Sequence, residues 1–257
     1  MSRALEQREK RARIKALLEA KGLEALVLKK GANVAWIIGG RAHIPTTLEL
    51  ACLDVIVYKD RIVVVTNKIE APRLEAEELS GDEELIVINW FEGRDGQLPS
   101  GEKIGIDGPD NNRINLSAEI EELRRSLNSF EVERLKQIGS DAAKSLGESM
   151  LKIAPKMSEV GAAGVIAENL WAHNLEPVVL LVAGSDRIES FRHPLPTTNL
   201  IGSLVMGVIC ARRKGLIASV TRIVSFNSLS SEIDERYKAL LNVEAAFFSR
   251  TEVGSTY

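Results

Sequence analysis

The first half of the chain alternates amphipathic helical segments with short apolar runs. Residues 3–21 keep their apolar side chains close to one helical face among many charged ones, and Gly22 ends the pattern, so we predict a helix there. The run 23–28 is short and apolar and is typical of a strand. A second apolar run, 33–38, follows and is closed by two glycines.

Two Val/Ile-rich segments, 50–58 and 61–66, follow and are separated by Lys59 and Asp60, which predicts a tight β-hairpin. A helix is expected over 68–79, with Pro72 in its first turn, where proline costs little. Two more strands and a short helix complete this part of the chain: 85–89, 103–106 and 116–127.

Strands that alternate with helices predict a complete small α/β domain over residues 1–127. Asn128, with Glu131 three positions later, has the spacing of a helix N-cap and predicts the start of a new helix. We therefore place a domain boundary here and assign residues 128–257 to a second α/β domain.

The second part begins with two predicted helices, continues with three strands and ends with a helix. We predict two helices because apolar residues recur at helical spacing in these segments, and Pro155 ends the first helix. The segment 212–215 is predicted to be a turn between the last two strands. The predicted elements are helices 131–153 and from Ser158 onward, strands 178–183, 203–211 and 215–226, and a helix over about 230–250.

Composition narrows the classes of function. The 257 residues carry a net charge of −3 with 27% charged residues, which gives no reason to expect nucleic acid or an anionic membrane as partner. No apolar run reaches the roughly 18–20 residues that cross a bilayer. The charged start of the chain does not have the pattern of a secretory signal, and Cys52 and Cys210 are expected to be buried free thiols. These features predict a cytoplasmic protein.

Few residues are candidates for chemistry. His43 and His173 are expected to have surface or structural roles. His193 lies in a loop between two strands where flanking prolines stiffen the backbone, so it is a candidate for binding. Arg212, Arg213 and Lys214 could bind an anion, although such a turn is more often only solvated. Sequence patterns for nucleotide-binding loops, zinc proteases and serine hydrolases do not occur.

Three groups of residues carry a resemblance to a known family. The segment 205–222, with Gly215, Thr221 and Arg222, resembles the metal-binding hairpin of the creatinase, aminopeptidase P and prolidase family, and Arg192-His193-Pro194 matches its histidine loop. The segment 31–40 is similar to the N-terminal domain of these enzymes. The resemblance implies a creatinase-like N-terminal α/β domain, residues 1–127, and the first half of a pita-bread α/β domain, residues 128–257.

The resemblance also implies where metal ligands would stand. Family peptidases hold two divalent ions, and two of the ligands are hairpin aspartates at the positions of Val208 and Ser219. A valine cannot ligate a metal, and serine is a poor substitute for a carboxylate. The other ligands would come from a second half-fold that we do not find in this sequence. We therefore predict no metal site and no cofactor.

Three functions remain open. The first is an Xaa-Pro aminopeptidase or prolidase homologue without a functional dinuclear centre. The second is a non-catalytic binding or assembly module that uses the pocket around His193. The third is a metal-independent, creatinase-like amidohydrolase with His193 as substrate-binding or acid/base residue. A peptide or small amide is the expected ligand. A half-fold would leave a strand edge and an apolar face uncovered, so we also expect a homo-oligomer.

Overall fold

The predicted hairpin lies in the middle of a six-stranded mixed sheet. The computed structural model describes residues 3–255, apart from the side chain of Asp186. The sheet order is β4-β3-β2-β1-β5-β6, in which β1–β2 and β2–β3 are antiparallel and the other neighbours are parallel. The strands are β1 (Ala25–Lys30), β2 (Leu50–Tyr58), β3 (Ile62–Asn67), β4 (Glu84–Ile88), β5 (Ile104–Ile106) and β6 (Ile114–Asn115).

Four helices accompany this sheet: α1 (Arg3–Lys21), α2 (Gly31–Ile38), α3 (Ala71–Arg73) and α4 (Ser117–Arg125). The prediction of α1 is confirmed. The apolar run 33–38 belongs to helix α2, whose last six residues are all buried, so no polar face reveals its period. The helix expected over 68–79 is shorter, because α3 continues only as a π-helical turn, Leu74–Glu78.

The core explains why these strands are continuous apolar runs. Leu26 and Leu28 of β1 pack into one cluster with Ile14 and Leu18 of α1, while Val27 packs into a second cluster. The second cluster also contains residues of β2, β3 and β5. Both faces of the central strands are covered, so β1, β2, β3 and β5 bury side chains on both sides of the sheet, whereas the edge strands β4 and β6 are more exposed.

The second part of the chain has helices before and after a three-stranded sheet, as predicted. The elements are α5 (Ser129–Met150), α6 (Glu159–Ala172), β7 (Glu176–Gly184), α7 (Ser185–Ser190), β8 (Leu204–Arg213), β9 (Leu216–Ser225) and α8 (Ser231–Arg250). The sheet order is β7-β8-β9. The predicted cap of α5 is confirmed as a capping box, because the Glu131 N–H donates to Asn128 Oδ1 (3.0 Å) and the Asn128 N–H to Glu131 Oε2 (3.1 Å).

The chain forms two compact units, each built from several separate segments of the sequence. Unit one contains the chain up to Ala143 together with Trp171–Val178 and Cys210–Ser219; unit two contains Lys144–Leu170, Val179–Ile209 and the chain from Val220 onward. The domain boundary expected between residues 127 and 128 lies between α4 and α5 and stays a prediction.

Unit two is closely packed around β8 but not around its last helix. A Cβ at Gly207 would come within 3.0 Å of Met150 Sδ and 3.3 Å of Leu146 and Ile166, so only glycine lets the helices approach this strand. No residue of α8 is buried, and among residues 3–255 no helix is long and apolar enough to cross a membrane.

Candidate functional site

The β8–β9 hairpin, which carries most of the sequence resemblance, closes through Lys214 and Gly215. Both residues have positive φ, 49° and 81°, as a two-residue type I′ turn requires, and this confirms the turn expected at 212–215. Glycine tolerates this conformation without strain, and lysine does not, so the tight turn holds Lys214 in an unfavourable backbone region.

The two hairpin positions expected to hold aspartates in metal enzymes offer no anionic oxygen. Val208 is half-buried on β8. Ser219 is exposed on β9, and its hydroxyl donates a hydrogen bond to Cys210 Sγ (3.2 Å). Within the described ranges, no three His, Cys, Asp or Glu side chains are grouped so that they could hold a metal ion. The residues at these positions therefore do not fit the pair of divalent ions that the fold family implies.

His193 lies in a loop, as the sequence predicts, but this loop joins α7 to β8 and not one strand to the next, because the short helix α7 follows β7. Its imidazole is exposed, and the structure shows no hydrogen bond or ion pair to it from any side chain it describes. The next residue, Pro194, is buried and anchors the loop. Arg187 Nη2 donates to the Leu195 carbonyl (3.1 Å), so the histidine stands on a fixed segment and points a free side chain to solvent.

A buried carboxylate in unit two fixes this loop. Glu159, at the start of α6, accepts hydrogen bonds from the Gly184 N–H (2.9 Å) and from both the N–H (2.9 Å) and the hydroxyl (2.6 Å) of Thr197, and it pairs with Arg187. Burial works to raise the pKa of Glu159, but these donors outweigh it and lower the pKa below its ordinary value. Four donors converge on this buried carboxylate, one on Oε1 and three on Oε2, so Glu159 is structural.

Unit one contains a polar cluster that sequence reasoning missed. Glu176 Oε2 accepts from Arg212 Nε (2.7 Å) and lies 3.3 Å from His43 Nε2, and Arg212 Nη2 is 2.6 Å from the same imidazole nitrogen. The hydrogen bond from His43, and after it the one from Arg212, lower the pKa of Glu176 to about 2 against the effect of burial. His43 and Arg212 are 169 positions apart, so no local pattern could join them.

The two remaining residues of the basic turn, Arg213 and Lys214, differ in whether their charges are paired. Arg213 pairs with Asp141 (2.8 Å) and donates to the carbonyls of His173 and Asn174 (2.6 and 3.1 Å). Lys214 is exposed, and no described side chain lies within hydrogen-bonding or ion-pair distance of its ammonium group. Cys52 and Cys210 are free thiols, as expected, but both are half-buried and not fully buried.

Comparison with known proteins identifies the fold. No protein-family model matches the sequence, and no curated protein matches it. Among solved structures, the chain is similar to a prolidase from Pyrococcus horikoshii OT3 (TM-score 0.75, 16% identity, 93% of this chain and 71% of that one). It is also similar to an X-Pro aminopeptidase from Thermotoga maritima MSB8 (0.72, 16%, 90% and 69%) and to aminopeptidase P from E. coli (0.70, 15%, 94% and 67%). The predicted resemblance to the pita-bread fold of these enzymes is confirmed.

Proposed function

We propose that this chain is an Xaa-Pro peptidase homologue that lacks a working dinuclear metal centre and acts as a ligand-binding module. The shared fold supports the relationship. The observation that carries the proposal is the chemistry at Val208 and Ser219, an aliphatic side chain and a neutral hydroxyl where the metal enzymes are expected to have carboxylates.

Two-metal hydrolysis needs several anionic oxygens around a small volume, because they hold two divalent cations close together and leave an activated water between them. A valine supplies no lone pair. The Ser219 hydroxyl is a weak neutral ligand, and it is engaged as a donor to Cys210. Loss of two carboxylates removes two negative charges from the site, which lowers its affinity for cations whatever other ligands are present.

The finer assignments belong to the same proposal. Residues 1–127 form a creatinase-like N-terminal domain, and residues 128–257 form the first half of a pita-bread domain. The expected homo-oligomer, the peptide or small amide ligand and the cytoplasmic location stay predictions.

Metal-independent amide hydrolysis is the alternative with an observation in its favour. His193 presents an unpaired imidazole on a loop that Glu159, Thr197 and Arg187 hold rigidly. An imidazole carried on a fixed loop is a suitable group for general acid–base catalysis. In this alternative, His193 is the acid/base group and the hairpin positions have no role.

One set of measurements separates these functions. The purified chain is titrated with Mn²⁺ or Co²⁺ by calorimetry and assayed with an Xaa-Pro dipeptide and with creatine, beside the double variant Val208→Asp/Ser219→Asp and the single variant His193→Ala. We expect no stoichiometric metal binding and no dipeptide hydrolysis by the native chain. Stoichiometric binding of two ions with metal-dependent hydrolysis would overturn the proposal. Metal-independent hydrolysis that His193→Ala abolishes would establish the alternative.

A further inference from the structure

A second candidate site lies wholly within unit one. A cavity of about 280 Å³ opens between the start of α2, the loop after it and the β8–β9 turn. Five Lys or Arg side chains line it, against two glutamates, which gives a formal excess of three positive charges. It contains neither His193 nor the two hairpin positions, so it is independent of the function proposed above. We call it the α2 cavity.

Most of the charges in the α2 cavity are already paired. Lys30 Nζ lies 2.7 Å from Glu49 Oε1, Arg212 pairs with Glu176 as described, and Arg41 pairs with Glu78 (2.7 Å). Arg124 and Lys214 differ, because neither has a carboxylate within ion-pair distance among the residues that the structure describes. These two cations account for the positive character of the cavity.

Of these two cations, Arg124 points more strongly to a bound anion. It is half-buried, and its described hydrogen bond runs from Nη1 to Asn33 Oδ1 (2.8 Å), so one of its five N–H groups is used. Asn33 is itself buried and donates to Asp107 Oδ2 (2.9 Å), which fixes the guanidinium in place. Burial lowers the pKa of Arg124, and the more distant carboxylates of Glu131, Glu121 and Asp107 offset this only in part. A partly desolvated cation without a counter-ion is costly unless a ligand supplies the charge.

The backbone also contributes to the positive electrostatic potential of the α2 cavity. The α2 helix begins at Gly31, and Gly31, Ala32 and Asn33 line the cavity at its positive end. Lys214 approaches from the other side, because the β8–β9 turn packs against α2 so closely that a Cβ at Gly215 would lie 3.0 Å from Ala35 Cβ. The Gly31 N–H itself donates to the Glu49 carbonyl (2.8 Å), so the start of α2 contributes through its dipole. A planar guanidinium, a flexible lysine side chain and the positive end of a helix thus surround one small volume.

We propose that the α2 cavity binds a small phosphoryl dianion, either inorganic phosphate or the head of a phosphomonoester. The two unpaired positive charges of Arg124 and Lys214 match a dianion better than a single carboxylate. The fork of Arg124 suits bidentate contact with two phosphoryl oxygens, and Lys214 serves as a point charge for a third. The volume is below the roughly 300–1,000 Å³ of pockets that enclose drug-sized ligands, so a small head group fits and a peptide does not.

Calorimetric titration of the full chain with inorganic phosphate and with glycerol phosphate tests this site, at about 0.15 M NaCl so that screened surface attraction contributes little. Succinate and acetate are titrated as carboxylate probes. We expect saturable, one-to-one phosphate binding, and at least tenfold weaker binding of both carboxylates. Tighter binding of glycerol phosphate than of phosphate would identify a phosphomonoester as the ligand; equal binding would identify the free ion.

Variants locate the site. Arg124→Gln keeps a donor for Asn33 and should weaken phosphate binding about tenfold or more, and Lys214→Gln about threefold to tenfold, by loss of charge-assisted hydrogen bonds. Lys103→Gln, which removes an exposed lysine outside the cavity, is the matched control and should bind like the native chain. Lys214 is exposed, so its variant tests the site even if Arg124→Gln folds poorly. Absence of phosphate binding, equal binding of succinate, or native affinity in the Lys214 variant would overturn the proposal.

Discussion

Two sets of charged side chains in unit one differ in how fully their charges are matched. In the first set, Lys10 Nζ lies 2.6 Å from Glu6 Oε1 and 3.0 Å from Glu131 Oε1 and donates to the Trp36 carbonyl (2.8 Å). Arg134 makes a bidentate pair with Glu6 (2.8 and 3.0 Å). These four residues, which we call the Lys10 network, join α1 to α5, and the Lys10 side chain is only 1% exposed.

The second set, in the α2 cavity, leaves Arg124 and Lys214 without carboxylate partners. The comparison separates two uses of charge. Where each buried charge faces an opposite one, the group fixes helices in place and has nothing left to offer a ligand. Where a half-buried guanidinium such as that of Arg124 keeps free donors, the fold tolerates a destabilising charge. We attribute the retention of this charge to binding of an anion.

The largest expected effect comes from breaking the Lys10 network. Lys10→Met removes the central cation and leaves the Glu6 and Glu131 carboxylates facing each other, partly compensated by Arg134. Because the uncompensated charge is buried, the free energy of unfolding should fall by about 3–5 kcal/mol. Urea unfolding measures the change.

Lys15→Met is the control on the same helix. Its ammonium lies 4.0 Å from Glu19 on the exposed side of α1, so the loss should stay below about 0.5 kcal/mol. If Lys10→Met costs no more than this control, the network is not structural and the comparison fails.

An intermediate effect is expected for the pH dependence of the same network. Burial works to raise the pKa of Glu6, but the hydrogen bonds from Arg134 and Lys10 outweigh it and lower the pKa from 4.5 to about 2. The unfolded chain therefore binds more protons between those values, and the stabilisation by Glu6 is present above about pH 4.5 and is lost as the pH falls toward about 2.

Glu6→Gln should show this directly. The difference in unfolding free energy between the native chain and the variant is expected to be largest near neutral pH and to shrink as the pH falls through that window. Urea titrations at several pH values measure it, with Glu19→Gln as an exposed control on the same helix. A difference that is constant with pH would contradict the assignment of the low pKa to Glu6.

The sequence predicted correctly those structural features that depend on residues close together in the chain. The β2–β3 hairpin, the capping box of Asn128 and Glu131, and the Lys214–Gly215 turn each depend on residues a few positions apart. It failed for α2, because a helix buried on all sides carries no amphipathic period. It also missed His43 and Arg124, because their partners come from distant segments and only the packed fold brings them together.

The smallest expected effect on stability belongs to Arg124→Gln. The substitution removes a charge that has no carboxylate partner and keeps a donor for Asn33, so without added anion the free energy of unfolding should change by at most about 1 kcal/mol. With phosphate at about ten times its dissociation constant, the native chain should gain about 1.4 kcal/mol by mass action and the variant much less. Thermal and urea unfolding with and without phosphate measure both quantities. If Arg124→Gln destabilises the phosphate-free chain as strongly as Lys10→Met does, Arg124 is part of the structural framework, and the distinction between the two sets of charges is lost.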